Sequence, residues 1–104
     1  MKITVREKYF SQQVVDLAKI LNWKVYRCWL SIHSPAGFPD LTMCRGERLI
    51  FAELKSDSGK VSLKQEEWLD ALKITKAEVY VWYPGDFDQI AKILQTEKEA
   101  KREF

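Results

Sequence analysis

The chain has 104 residues, 46% hydrophobic and 31% charged, with four Gly and three Pro, which suits one domain over residues 1–104 with one core and argues against disorder. A formal net charge of +2 is too weak a bias to establish a nucleic-acid partner, so any basic footprint must come from local placement. The N-terminal MKITVREKYF carries charges where a secretory signal needs an apolar stretch, and no apolar run approaches the ~20 residues of a membrane span.

Along the chain, Thr4-Val5-Arg6-Glu7 has the form of a capping box, in which a hydroxyl and a carboxylate satisfy free N–H groups at a helix start. The helix that follows carries Phe10, Val14, Leu17, Ala18 and Leu21 on one stripe and stops at Asn22. Trp23 to Leu30 alternates and is rich in aromatic and β-branched residues, which predicts a strand; Ser31 to Pro39, with its Ser-Pro and Gly-Phe-Pro, is a loop. Two further strands, Asp40 to Arg45 and Arg48 to Lys55, flank Gly46-Glu47, and Gly at the first central position is what a type II′ hairpin requires. A polar turn over Ser56 to Val61 leads to a second capping box, Ser62-Leu63-Lys64-Gln65, and a helix with Trp68, Leu69 and Leu72 on its stripe. Ala77 to Tyr83 is a strand apolar on both faces, as in a sheet covered on both sides. Pro84-Gly85 breaks it, and a last helix from Asp86 turns Phe87, Ile90, Ala91 and Leu94 inward before a solvated tail. The order α-β-β-β-α-β-α predicts an α/β fold, a mixed sheet flanked by helices. Cys28 and Cys44 lie in apolar runs with no CxxC and no His at zinc spacing, so two buried, reduced thiols and a cytoplasmic protein are expected.

Three charges stand in the most strand-like segment. A turn centred on Gly46-Glu47 sets Arg45 opposite Arg48, Thr42 opposite Phe51 and Asp40 opposite Glu53, with Lys55 on the same face. Slipping by one residue would separate the two acids. Carboxylates ~4–5 Å apart repel by about 3–4 kcal/mol at an effective dielectric near 20. A divalent cation turns that cost into a binding site, because Mg²⁺ takes one or two carboxylates while keeping waters for substrate. The competing reading is the polar face of a half-solvated strand; Leu49 and Phe51 on the same face argue against it by predicting that the face is mostly buried.

Pro39-Asp40 followed by Glu53-Leu54-Lys55 resembles the PD-(D/E)xK nuclease signature. With GFPD, the Gly59 turn, Gln65, Trp68 and the Val-Tyr-Val-Trp strand in order, the chain from about Glu7 to Leu94 resembles the VRR-NUC family, the virus-type replication-repair nucleases. The resemblance implies a minimal restriction-endonuclease-like fold and a phosphodiester hydrolase using Mg²⁺ or Mn²⁺. Asp40, Glu53 and the backbone carbonyl of Leu54 would hold the metal, and Lys55 would orient the attacking water or stabilise developing charge. It also brings Glu7 to the metal and Gln65 to the catalytic group, although each is the fourth residue of a capping box and could serve only the helix end. The chain departs from the family pattern at Ile74-Thr75-Lys76-Ala77, where a Gly usually ends the second helix.

Lys60 and Lys64, at the start of the second helix, could hold a DNA phosphate or be simply solvated. His33 and Ser34 precede GFPD and could reach substrate; Arg27 and Arg45 are equally open. Trp23, Trp29, Trp68 and Trp82 are expected in the core rather than as base-stacking platforms. Stand-alone relatives of this size resemble Holliday junction resolvases, which implies a homodimer acting on four-way DNA junctions in a bacterial or phage-infected cell. A flap or nicking nuclease with the same site, and a non-catalytic DNA-binding or dimerisation module, are the alternatives.

Overall fold

The computed structural model describes residues 5–28 and 36–97, with side chains described from Lys8 onward. Helix α1 spans Val5–Ile20, followed by strands β1 (Lys24–Arg27), β2 (Leu41–Arg45) and β3 (Arg48–Leu54). Helix α2 (Leu63–Lys73), strand β4 (Glu78–Trp82), a 3₁₀ turn (Pro84–Asp86) and helix α3 (Phe87–Gln95) complete the chain. The strands lie in the order β1-β2-β3-β4, antiparallel except for the parallel β3–β4 pair that α2 bridges. This is the predicted order. Among the described residues no helix is long and apolar enough to cross a membrane.

Helix α1 ends where Asn22 was expected to stop it. Asn22 takes φ 72°, a left-handed position its short polar side chain tolerates. The Trp23 N–H then reaches the Ala18 carbonyl at 2.9 Å and the Asn22 N–H reaches that of Lys19 at 3.0 Å, the two bonds of a Schellman closure. Trp23 is thereby turned into the core. The proposed Thr4 cap lies outside the described residues.

The β2–β3 hairpin has the anticipated register: Arg45 pairs with Arg48, Cys44 with Leu49 and Thr42 with Phe51. Gly46 has φ +61° and Glu47 is not in the left-handed region, which matches the type II′ pattern. Because successive side chains alternate, the sheet has two unlike faces. One carries Leu41, Met43, Ile50 and Ala52, all fully buried with Val14, Ala18, Ile90 and Leu94 beneath α1 and α3. Burying an aliphatic side chain of this kind contributes about 1.5–3 kcal/mol, so this layer holds the domain together.

The other face is covered only in part. Phe38 stands edge-on to Phe51 and Trp68 of α2, with ring centroids 5.9 and 4.9 Å away, but Leu49, Cys44 and Tyr26 are exposed. The expectations of a mostly buried second face and of two buried thiols are therefore corrected: Cys44 is exposed and Cys28 half-buried, although neither is in a disulfide, while no residue of β4 is exposed. The physical reason is length. An α2 of 11 residues is about 16 Å long, and its crossover keeps it towards β4, away from Tyr26 and Cys44 on the β1–β2 half. Trp23 and Trp82 are core residues, Trp68 is half-buried, and Trp29 lies outside the described residues.

Candidate active site

The partly covered face brings the three strand charges together. Leu41 pairs with Ala52, so Asp40 and Glu53 are the next cross-strand neighbours and point to the same side. Asp40 sits just before β2, where its carbonyl accepts the Cys28 N–H at 3.0 Å. Its Oδ2 accepts the Leu54 N–H at 2.9 Å, which fixes the carboxylate against the end of β3. Lys55 continues the parallel ladder, its N–H donating to the Trp82 carbonyl at 2.9 Å.

Gln65 reaches the same place from the first turn of α2. Its Nε2 donates to Glu53 Oε2 at 2.8 Å, and its Oε1 accepts Lys55 Nζ at 2.7 Å. The same Oε1 accepts the Ser62 N–H at 2.8 Å, while the Gln65 N–H donates to Ser62 Oγ at 3.2 Å. One amide makes the cap bond and both contacts with the strand charges, because its oxygen has two lone pairs and its nitrogen two hydrogens. The helix cap sets where the amide points.

Glu53 is 3% exposed. One oxygen has Gln65 and the Lys55 ammonium, the latter at 3.5 Å; the other, Oε1, is buried with no hydrogen-bond donor among the described residues. Burial pushes its pKa up to about 7, helped by the negative charge of Asp40 and opposed by Lys55. A buried acceptor left unsatisfied costs about 1–3 kcal/mol, more if charged. Sequences rarely retain that without use.

Asp40, Glu53, Lys55 and Gln65 therefore form one cluster, with the Leu54 peptide bound to Asp40. Lys60 and Lys64 are exposed near the start of α2. The side chain of Glu7, and all of His33 and Ser34, lie outside the described residues. Arg45 and Arg27 are engaged elsewhere: Arg45 donates to the carbonyls of Leu21, Leu94 and Thr96, and Arg27 to Ser11 and Gln12. Among the described residues no three His, Cys, Asp or Glu side chains gather as a metal cage. Two carboxylates remain, a donor set that suits a hard cation completing its shell with water, a backbone carbonyl or substrate phosphate, and the donorless Oε1 fits such a group. The residue that the sequence did not single out is Gly37, at φ +91°. It packs on the backbone of Lys64 and Gln65, and its only signal was its place in GFPD.

The VRR-NUC domain profile matches residues 2–84. The chain belongs to the VRR-NUC family. A solved structure described as a VRR_NUC domain superposes with a TM-score of 0.70 at 21% identity, covering 90% of this chain and 99% of that one; at that identity it establishes the shared fold. No curated protein matches significantly. Membership implies a nuclease-type function and hence DNA as a partner, in a family that generally uses divalent metals.

Proposed function

We propose that this VRR-NUC protein is an Mg²⁺- or Mn²⁺-dependent endodeoxyribonuclease that resolves four-way DNA junctions as a homodimer in the cytoplasm. The observation that carries the catalytic part is the buried Glu53 carboxyl with one donorless oxygen, beside Asp40 and an ammonium. Asp40, Glu53 and the Leu54 carbonyl would hold the ion, with Glu7 as a further ligand; the ion supplies Lewis acidity toward the scissile phosphate and an attacking water of lowered pKa.

The protein's own residues do the rest. The Leu54 N–H holds the Asp40 carboxylate in place, and the Gln65 amide holds that of Glu53. Lys55 carries a positive charge steadied by Gln65 Oε1, positioned to stabilise charge that develops on phosphate oxygens; fixed charges in a partly dry site reorganise little during reaction. Lys60 and Lys64 flank the α2 N-terminus, where phosphates of the bound strand would lie, and His33 and Ser34 would approach from the preceding loop.

The junction reading rests on the family resemblance, and symmetry is consistent with it. A four-way junction has a two-fold axis, and paired cuts need two sites related by a matching axis, which a homodimer provides. The test is cleavage of junction, flap and linear duplex by wild-type and Asp40→Ala protein in Mg²⁺ and Mn²⁺. Junction cutting by wild type alone is expected. Equal rates on all three substrates would favour the flap or nicking alternative, and silence on every substrate would leave a DNA-binding or dimerisation module.

A further inference from the structure

Residues 37–40 touch both halves of the site. Gly37 lies against α2, the Phe38 ring stands between Phe51 and Trp68, Pro39 is fully buried, and Asp40 binds the Leu54 N–H. Four consecutive residues therefore fix the β2 acid at one end and the helix bearing Gln65 at the other.

The contact at Gly37 is unusually close. A Cβ there would come within 2.6 Å of both the carbonyl carbon and oxygen of Lys64 and 2.9 Å of the Gln65 nitrogen. These are backbone atoms of the first turn of α2, which cannot rotate away as a flexible side chain would. A side chain at 37 must push back either its own loop, and with it Asp40, or the peptide that carries Gln65. We infer that Gly37 is a positioning residue, whose missing side chain lets Gln65 approach closely enough to hold Glu53 and Lys55. This rests on the nuclease reading only for its consequence in catalysis; the positioning itself can be measured without cleavage.

Gly46 supplies a matched control. It too has positive φ, at +61°, but a Cβ there would meet nothing within 4 Å. Ala at either position carries left-handed backbone strain, and only at 37 does it also carry the clash. The Gln65 side-chain amide, bonded to Glu53, can be followed by NMR in metal-free protein. Gly37→Ala should move or broaden that resonance, whereas Gly46→Ala should leave it in place.

In a DNA-cleavage assay Gly37→Ala should lower turnover by about 10- to 100-fold, the usual penalty for misplacing a catalytic group by an ångström, with little change in KM. Placed in a Gln65→Ala background, the same substitution should change turnover by less than about twofold, since coupled groups do not add. An unshifted Gln65 resonance in Gly37→Ala, or a loss of equal size with and without Gln65, would overturn the inference. Should Gly37→Ala not fold, Phe38→Leu loosens the same loop from Trp68 without adding atoms; a shifted Gln65 resonance then supports the inference and an unchanged one overturns it. Wild-type protein that cuts no DNA would defeat the nuclease proposal, yet the resonance would still decide the role of Gly37.

Discussion

The two faces of the sheet each bury charge, and they treat it differently. Beneath α3, Arg48 forms a two-pronged pair with Glu78, at 2.7 Å on each prong, while its third nitrogen donates to the carbonyls of Ile93 and Thr96. Tyr80 donates to the same Glu78, which pushes the phenol's pKa up further from its already dominant cause, burial. The guanidiniums of Arg45 and Arg48 stand 4.9 and 5.0 Å from the Trp23 ring centroid. This cluster closes the C-terminal end of α3, whose last carbonyls would otherwise lack donors. On the opposite face Glu53 is as deeply buried, but half of its carboxyl has no donor among the described residues. Charge that is fully paired holds a fold together; charge left short of donors marks a candidate functional position.

That contrast can be broken by mutation. The largest effect on chemistry should come from Asp40→Ala or Glu53→Ala, each of which abolishes cleavage while the protein stays folded by circular dichroism; retained cutting in either variant would separate the acids from catalysis. Arg48→Ala should do the reverse, costing about 3–5 kcal/mol in urea unfolding by stranding Glu78, with turnover per folded molecule unchanged. Lys55→Ala is next, lowering turnover by roughly 10²–10³-fold with a smaller change in metal affinity, measured by calorimetry.

A subtler effect is the pH dependence of stability. The folded Glu53 pKa of about 7 lies above its usual 4.5, so the native state binds more protons than the unfolded chain between those values. Its contribution to metal-free stability is therefore greatest below pH 4.5 and falls as pH rises through about 7, by on the order of 3 kcal/mol. Unfolding of wild type and Glu53→Gln across that window should diverge with this sign, and parallel curves would show an ordinary carboxyl. Smallest is Ser62→Ala, which removes half of the α2 cap at a cost of about 1 kcal/mol and should slow cleavage only as far as it loosens Gln65.

Much of the site was legible because strands have a period of two. Once Gly46 was read as the positive-φ residue of a tight hairpin, the pairing of Asp40 with Glu53 followed by counting, and the observed register agrees. The helices were legible through their stripes and through Ser62 and Gln65, whose capping box forms as expected. The exposure of Cys44 and Leu49 was not legible, because alternation tells which residues share a face and not how far a short helix covers it. Nor was the role of Gly37, since its neighbour in space is 27 residues away in the chain.

By itself, then, the sequence determined the elements, the hairpin register and the face on which the acids lie, all of which follow from local backbone geometry and side-chain period. Only the tertiary structure decided that Gln65, still in its cap, comes within hydrogen-bonding range of Glu53 and Lys55, and that one oxygen of Glu53 is sealed from water with no donor among the described residues. Those facts depend on how α2 and the loop at Gly37 pack on the sheet, and packing joins residues whose distance along the chain carries no signal of their contact.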